Sequence, residues 1–433
     1  MAHALRDSAP MMDPVNAPAP RAWTSPFCAL LNDDLQLAQQ DGRFSLSGPG
    51  CERAQRALAH FRPERSSATP SIAGQPATLD EAIEQAAQRL AASRQPLFGG
   101  LATDVDGARA LYPLACATGA ICDAAGGAAQ LHTLRALQDR GAFTTTLAEV
   151  RNRADLIVCV GASPRENFPG LWRRVGIGEP LVAQREIVFL GGATEPALDG
   201  LAGVSQRSVA LSGDLFDSVA QLAALVDGRR VPCAAPALAE LATQLHAARY
   251  AVVVWESSQL PEHGALIAEA LNRLVGTLNQ RTRAALLPLS GKDGLQTVNY
   301  VFTWLSGLPL RSRAGPLGLE HEPLRFDAKR LLAEGSVDAL LWVSAFGPEP
   351  AAPSAPIPTV VLGHPAQQAG AGADAVFIPV STPGMGSAGH LFRFDGGVAL
   401  PLEAVYDDGL PTVAQVLQRL NARVRSMQAG RSA

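Results

Sequence analysis

The chain has 433 residues, of which 47% are hydrophobic and 18% charged, and its formal net charge is −4 at pH 7. This length allows two or three lobes with cores of their own. The slightly acidic balance gives no reason to expect nucleic acid as a partner. The chain has no apolar run long enough for a membrane span and no secretory signal, so we expect a cytoplasmic protein without a membrane partner.

Cysteine usage indicates a reducing compartment. The cysteines are at positions 28, 51, 116, 122, 159 and 233. Six in a chain of this length do not make the dense disulfide framework of small secreted domains. Cys159 lies inside an apolar run and Cys116 in a helical pattern, where a free cysteine behaves as a small hydrophobic residue.

The first predicted elements are a tail and a small lobe. Residues 1–23 are rich in alanine and proline without a hydrophobic period, so we expect a disordered tail. Within residues 24–65, weak alternation around the turn dipeptide Asp41-Gly42 predicts a β-hairpin in a small N-terminal lobe. Residues 62–76, rich in proline, serine and alanine, are typical of a linker.

Ser25, Cys28, Asn32 and Cys51 follow the spacing of a four-thiolate iron–sulfur site in which two thiolates have been replaced. A hydroxyl is not a thiolate at neutral pH, and a side-chain amide offers iron only a neutral, hard oxygen. We interpret the segment as a cluster-binding frame that no longer holds its cluster. The alternative is an N-terminal loop that contains two cysteines.

Strands and helices alternate from residue 78 onward. Thr78-Leu-Asp-Glu81 is a capping box and predicts a helix to about Ser93. Pro96–Gly100 is a predicted strand that enters a glycine turn, and the apolar run 153–161 is typical of a strand in a buried parallel sheet. Further helices are predicted at 107–118, 128–139, 214–226, 264–279 and 410–424, and strands at 187–190, 251–255, 285–289, 339–344, 359–362 and 375–379. The alternation predicts an α/β fold of doubly wound parallel-sheet lobes.

Several segments resemble, in the same order, the B subunit of formylmethanofuran dehydrogenase, within the molybdopterin oxidoreductase superfamily. The likeness runs from about Ser25 to Leu402. No single motif is diagnostic, and the evidence for the resemblance is that the motifs occur in the same order as in the family. The segments are Cys28 with Asn32-Asp33-Asp34, residues 146–164, Leu278–Arg283, Thr303–Pro309, Ala373–Pro379, Pro383–Gly389 and Phe392–Gly396.

The resemblance implies the domain I–III arrangement of the formate dehydrogenase/DMSO reductase fold, with a small N-terminal β lobe. One α/β lobe would combine residues 66–125 with 245–402, and a second would be inserted at 126–244. Residues 403–433 would form a C-terminal helix and tail. The β-barrel that ends many superfamily members has no room here.

The chain departs from the family where the family binds its redox groups. The family's cluster cysteines would fall on Ser25, Cys28, Asn32 and Cys51, so two are lost. Its metal-binding cysteine would lie about six residues after Asp123, where Gly126–Leu131 contains no thiol. After Leu289 the family has Arg-Gly-His, and this chain has Ser290-Gly-Lys292. We therefore expect no catalytic, cofactor-binding or metal-binding residues, and no bound cofactor.

That pattern resembles the B subunit of bacterial formyltransferase/hydrolase complexes. There, a dehydrogenase-like B subunit accompanies an amidohydrolase-type A subunit, a C subunit and a formyltransferase D subunit. By resemblance, such an assembly moves a formyl group from tetrahydromethanopterin to a methanofuran-type carrier and hydrolyses it to formate. The expected role of this chain is a non-catalytic scaffold.

Two other hypotheses remain open. In the first, the chain is an active formylmethanofuran dehydrogenase subunit that keeps a molybdopterin cofactor with a non-thiolate metal ligand. In the second, residues 96–122, which also look like the central domain of thiamine-diphosphate enzymes, indicate that class. The magnesium motif of those enzymes is missing, so this hypothesis ranks last.

Other polar groups are weaker candidates. Glu320-His321-Glu322 lies in a stretch rich in proline and glycine and is interpreted as a solvated turn rather than a metal site. The adjacent Asp33 and Asp34 are expected to cap their loop. Gly99-Gly100 and Gly161–Pro164 could meet phosphates after strands, but neither is a complete phosphate-binding motif.

Arginines crowd one region of the chain, at positions 151, 153, 165, 173 and 174. The plain interpretation is a solvated or interface surface. A sharper hypothesis is that they attract the polyglutamate tail of a methanofuran-type carrier, since guanidinium groups bind carboxylates well.

Overall fold

The computed structural model describes residues 20–47, 50–161, 163–165, 167–261, 263–291 and 294–432. Most of the predicted tail therefore lies outside the described residues.

The strands are β1 (Arg21–Trp23), β2 (Leu35–Gln40), β3 (Arg43–Ser47), β4 (Ser71–Ile72), β5 (Gln75–Pro76), β6 (Pro96–Ala102), β7 (Ile121–Cys122), β8 (Leu156–Val160), β9 (Arg185–Leu190), β10 (Val204–Val209), β11 (Ala251–Glu256), β12 (Ala284–Leu289), β13 (Ser312–Gly315), β14 (Gly318–His321), β15 (Ala339–Ser344), β16 (Thr359–Gly363), β17 (Val376–Pro379), β18 (Gly389–Phe392) and β19 (Ala399–Leu402).

The α-helices are α1 (Glu52–Leu58), α2 (Leu79–Ala92), α3 (Val105–Thr118), α4 (Gly127–Arg140), α5 (Leu147–Arg153), α6 (Leu171–Arg174), α7 (Leu215–Val226), α8 (Pro236–Ala247), α9 (Gly264–Leu278), α10 (Leu295–Ser306), α11 (Ala328–Ala333) and α12 (Val413–Ser432).

A small antiparallel sheet, in the order β1-β2-β3, forms the N-terminal lobe together with α1. The predicted hairpin is confirmed: Asp41 and Gly42 join β2 to β3 with φ values of 51° and 67°. This backbone suits a tight hairpin, and glycine adopts it without strain. The predicted tail boundary at residue 23 is wrong, because β1 already pairs with β2 from Arg21 to Trp23.

The second lobe is built on a parallel sheet in the order β10-β9-β8-β11-β12. Its central strands are buried along their whole length, as expected for strands covered by helices on both faces. The predicted lobe boundary at residues 244 and 245 is wrong. β11 and β12 hydrogen-bond into the sheet beside β8, so this lobe extends to at least Leu289.

The third lobe contains a mixed sheet in the order β14-β13-β7-β6-β15-β16-β17-β4-β5 among the described residues. Its centre, β7 to β17, is parallel, and antiparallel strands complete both edges. The predicted linker contributes to one edge, because Ser71–Ile72 pairs with β17. The capping box of Thr78 and Glu81 at the start of α2 is confirmed, and α12 packs on α2 and α3. The α/β fold class is confirmed.

In the described part of the chain, no helix is both long and apolar enough to cross a membrane.

Candidate functional site

The four positions with iron–sulfur spacing come together in the N-terminal lobe. Ser25 and Asn32 are fully buried, and Cys28 and Cys51 are each 1% exposed. The Ser25 amide donates to the Asn32 carbonyl at 3.0 Å, which closes the loop that carries three of the four positions. Cys28 and Cys51 lie close enough to influence each other's acidity, and Asn32 influences Cys51 as well. All four positions are therefore buried in this part of the molecule.

The two thiols have different acidities. The Cys28 side chain lowers the pKa of Cys51, helped by the backbone N–H groups of Ala54 and Arg53. The same interaction, together with burial, raises the pKa of Cys28 well above its usual value. Two cysteines, a hydroxyl and an amide do not fit a four-thiolate cluster.

Asn32 is the unusual member of this group. Neither its amide nitrogen nor its amide oxygen has a hydrogen-bond partner within normal distance, although both are buried. Its weaker interaction with Cys51 is the least of the influences that lower the pKa of that thiol. An unpaired amide in a core costs about 1–3 kcal/mol of folding free energy.

Asp33 and Asp34 do not cap their loop, contrary to expectation. Asp34 pairs with Arg173 at 2.9 Å, and Asp33 pairs with Arg174, so both carboxylates reach α6 of the second lobe. These ion pairs attach the N-terminal lobe to its neighbour. They also engage two of the guanidinium groups that could otherwise attract a carrier tail.

A cleft opens where parallel strands of the second lobe end. Ser163 after β8, Glu256 at the end of β11 and Ser290 after β12 all line it. The carboxyl ends of parallel strands share one edge of a sheet, which is the usual ligand side of α/β folds. The opposite wall comes from α1 of the N-terminal lobe and from the start of α4.

The cleft consists of three adjoining cavities of about 890, 280 and 430 Å³. The first and second share Asn167, Glu256 and Gln259, and the second and third share Gln130 and Ser290. The cleft is therefore open along the junction of the lobes rather than filled by side chains.

Glu256 is the buried charge at the centre of the cleft, 5% exposed. Its carboxylate accepts hydrogen bonds from the Asn167 amide at 2.6 Å and from the Ser258 hydroxyl at 2.5 Å. Both hydrogen bonds stabilise the carboxylate where it lies. Sequence reasoning missed Glu256, although a carboxylate at the end of an apolar strand is a recognisable signal.

The position at which the resemblance predicts the family's metal-binding cysteine lies in this wall. Ala129, six residues after Asp123, faces the second cavity from the first turn of α4. The turn that leads into α4 is held by a buried ion pair, in which Arg311 donates to Asp123 at 3.2 Å. Arg311 also contacts Asp327. Sequence reasoning gave no role to Arg311.

These residues do not fit a molybdenum or tungsten cofactor. Such a metal needs a soft anionic ligand, which the alanine side chain at position 129 and the serine at position 290 cannot supply at neutral pH. Among the described residues, no group of three or more His, Cys, Asp or Glu could hold a metal ion. Lys292, which replaces another polar group of the family, lies outside the described residues.

Two other sequence candidates lie in strands. Gly99 and Gly100, a weak phosphate-binding signal in the sequence, lie within β6, where a Cβ atom would come within 2.9 Å of Trp342 ring atoms. Glu320 and His321 belong to β14 rather than to a solvated turn. There Glu320 pairs with Arg313, and burial lowers the pKa of His321.

The segment Gly161–Pro164 is described only in part. Ser163, in the loop after β8, hydrogen-bonds to Glu195, and its neighbour Ala162 lies outside the described residues.

The fold and the site define a class: an α/β protein with the lobes of a molybdopterin oxidoreductase, in which positions 25, 32 and 129 carry no thiol. No family model matches the chain. It is 32% identical over 367 residues to the B subunit of the formyltransferase/hydrolase complex of Methylorubrum extorquens, with 82% of this chain and 97% of that protein covered. It is 25% identical over 437 residues to the B subunit of the tungsten-containing formylmethanofuran dehydrogenase 2 of Methanocaldococcus jannaschii, covering 93% of this chain and 98% of that protein.

A solved structure agrees with the sequence comparison. A chain in the crystal structure of the formyltransferase/hydrolase complex of M. extorquens, determined with methylofuran, superposes with a TM-score of 0.72 at 33% identity. The match covers 83% of this chain and all of that chain. This protein belongs to the family formed by the B subunits of formyltransferase/hydrolase complexes.

Proposed function

We propose that this chain is a non-catalytic structural subunit of a cytoplasmic formyltransferase/hydrolase complex. In that complex an amidohydrolase-type A subunit, a C subunit and a formyltransferase D subunit would convert formyl-tetrahydromethanopterin to formate through a methanofuran-type carrier. The observation that carries the proposal is the match to a chain of the solved complex, which covers 83% of this chain and all of that chain. The poor ligand set at Ser25, Asn32 and Ala129 supports a scaffold rather than a redox enzyme.

Exposed apolar side chains support the assembly. Phe143 is 57% exposed and Trp304 62% exposed, and each is next to a threonine that lines the third cavity of the cleft. Large apolar groups that remain at the surface of a single chain are commonly covered by partners. We expect this surface to be buried in the complex.

Co-expression with the A, C and D subunits tests the proposal. The chain should co-purify in a fixed ratio with all three, and the chain expressed alone should be poorly soluble, because binding to partners stabilises it. The variant Trp304→Glu should lower the amount of this chain recovered in the complex. The matched control is Leu317→Glu, which introduces the same charge at the exposed tip of the β13–β14 hairpin. A stable, monodisperse monomer from the chain alone would contradict the proposal.

Metal analysis separates the scaffold from the alternative dehydrogenase. The scaffold predicts no molybdenum, tungsten or iron in a fixed ratio to this chain, with zinc assigned to the hydrolase partner. Stoichiometric molybdenum or tungsten would favour an active dehydrogenase subunit. The residues of the cleft support the first outcome, since they supply no thiolate.

A further inference from the structure

We propose that Arg249, Arg281 and Arg283 form a docking surface for an acidic segment of a partner subunit. They lie at the amino edge of the second-lobe sheet, the edge at which its parallel strands begin. The cleft is at the opposite edge, so this surface shares no residue with the cleft or with the apolar surface of Phe143 and Trp304. The inference rests on the proposed function, because it names a surface through which this chain would join its complex.

The parallel register of β11 and β12 brings the three arginines to one edge. Ala251 of β11 is aligned with Ala284 of β12. Arg283 immediately precedes Ala284, and Arg249 comes two residues before Ala251. The backbone N–H of Ala251 donates to the carbonyl of Arg283 at 3.0 Å, so the two segments lie side by side. Arg281 comes shortly after the end of α9 in the same connection, and all three side chains are exposed.

The connection Leu278–Arg283 is one of the segments on which the family resemblance depends. Its other polar residues hold its shape: the Asn279 side chain donates to the Ala284 carbonyl at 2.7 Å and accepts from the Ala284 N–H at 3.1 Å. The Thr282 hydroxyl donates at 2.6 Å to a backbone carbonyl of the segment before β11. The side chains of its two arginines have no such structural role.

The acidic side chains nearby already have partners. Glu149 pairs with Arg153 at 3.6 Å, and Glu186 pairs with Arg207 at 3.0 Å. Asp155 accepts hydrogen bonds at 2.9 Å from two backbone N–H groups of the segment that leads into β11. Within the described part of the chain, none of the three guanidinium groups of the surface therefore forms an ion pair. This positive charge is local, because the whole chain has a net charge of −4.

The chemistry of the surface fits a run of carboxylates. A guanidinium group binds a carboxylate through two parallel hydrogen bonds, and neighbouring strands bring such groups to within a few residues' reach of one extended segment. An acidic polypeptide segment can thus pair with all three arginines at once. Nucleic acid fits less well, since the net negative charge of the chain repels a long polyanion.

Charge reversal in the complex tests the proposal. The variant Arg249→Glu, Arg281→Glu, Arg283→Glu is co-expressed with the A, C and D subunits, and the subunits recovered with it are measured at several salt concentrations. Recovery of at least one subunit should fall by about tenfold or more, because three contacts become repulsive. The control is Arg94→Glu, Arg109→Glu, Arg325→Glu, which makes the same change of net charge at exposed arginines of the third lobe and should behave like wild type.

A charge-preserving variant identifies the partner. Arg249→Lys, Arg281→Lys, Arg283→Lys keeps the positive charge and introduces amines into a chain whose only lysines are at positions 292 and 329. A carbodiimide joins a lysine amine directly to a carboxylate that is paired with it. In the assembled complex we expect cross-links from the introduced lysines to Asp or Glu of another subunit. The cross-links should disappear as salt rises from about 0.05 to about 0.5 M, since salt screens exposed ion pairs.

The two experiments give clear contrary outcomes. Equal recovery of subunits with the reversed and the control variants at every salt concentration would overturn the inference. So would introduced lysines that link only within this chain, or nucleic acid retained at this surface in place of a subunit. Failure of the wild-type chain to co-purify with any of the three subunits would instead contradict the proposed function. The lysine variant decides the matter even if charge reversal prevents folding.

Discussion

The family resemblance predicted the places of two lost redox sites, and the two regions differ in their packing. The N-terminal group of Ser25, Cys28, Asn32 and Cys51 is closed, with every member at most 1% exposed. The cleft around Glu256 and Ala129 is open, with cavities of about 890 and 280 Å³. One region is therefore a filled core, and the other keeps a cavity.

The reason lies in what surrounds each region. Cys51 belongs to the core of the small N-terminal lobe with Phe27 and Leu35, and Cys28 packs in the neighbouring core with Ile157 of β8. Protein cores are close-packed, so neighbouring residues fill the available space. The cleft lies where the strands of the second-lobe sheet end, against α1 and the start of α4, and the large sheets of the second and third lobes each have a core of their own. Single replacements such as the alanine at position 129 do not move those sheets.

The largest effect should come from the ion pair that supports the cleft wall. Arg311→Ala would leave the buried Asp123 carboxylate without its partner, which we expect to lower the free energy of unfolding by about 3–5 kcal/mol. Burial already raises the pKa of Asp123. A carboxyl group whose pKa is raised in the folded state binds its proton more tightly there, so protonation favours the folded protein. The stability lost in Arg311→Ala should therefore become smaller as pH falls and Asp123 becomes protonated.

Denaturant unfolding of the variant at several pH values measures this effect. Arg330→Ala is the matched control, because its pair with Glu334 is about half exposed and should contribute less than about 1 kcal/mol. If Arg311→Ala lowers the free energy of unfolding no more than Arg330→Ala does, the ion pair does not stabilise the wall of the cleft.

A smaller effect of opposite sign is expected in the closed region. Asn32→Leu keeps a similar volume and removes two buried polar atoms without partners, so stability should rise by about 1–2 kcal/mol. The same change at Asn167, in the open region, removes a donor to Glu256 and should lower stability by about 1–3 kcal/mol. Thermal or urea unfolding of both variants measures whether stability rises in Asn32→Leu and falls in Asn167→Leu. Destabilisation by Asn32→Leu would indicate that the amide has a partner in solution.

These two regions also show what the sequence can and cannot predict. The buried strands β8 and β11 were predicted because each is a continuous apolar run. Strand β10 was missed because its residues are mostly polar and partly exposed at a sheet edge. The lobe boundary was misplaced because the pairing of β11 with β8 is a long-range contact that no local pattern records.

The same distinction holds for the candidate sites. The spacing of Cys28 and Cys51 predicted that they belong to one group, and in the structure both are buried and influence each other's acidity. The partners of Asp33 and Asp34 lie 141 and 139 residues away along the chain, and only the folded structure brings them together. A cluster of charged residues in a sequence therefore indicates an exposed surface, but it does not indicate which residues form the salt bridges.

Those salt bridges provide the next test. The double variant Arg173→Glu, Arg174→Glu should weaken attachment of the N-terminal lobe, at a cost of up to about 1 kcal/mol for each pair, because all four side chains are partly exposed. The charge swap that adds Asp33→Arg and Asp34→Arg should restore most of the loss. Carrier retention by the purified complex should not change, since both guanidinium groups already have partners. Weaker, more salt-dependent carrier binding would instead assign these arginines to the carrier's tail.

The smallest energetic effect, and the most direct comparison of the two regions, comes from Ala129→Cys. Ala129 is partly exposed and faces a cavity, so the change should alter stability by no more than about 0.5 kcal/mol. In the native protein, N-ethylmaleimide should label the introduced thiol together with the exposed Cys233, whereas Cys51 and Cys28 should react only after denaturation. Metal content should stay unchanged, because one thiolate does not replace a cofactor site. If the thiol at position 129 is as protected as Cys159, another chain covers the cleft or its walls close in solution, and the two regions are alike after all.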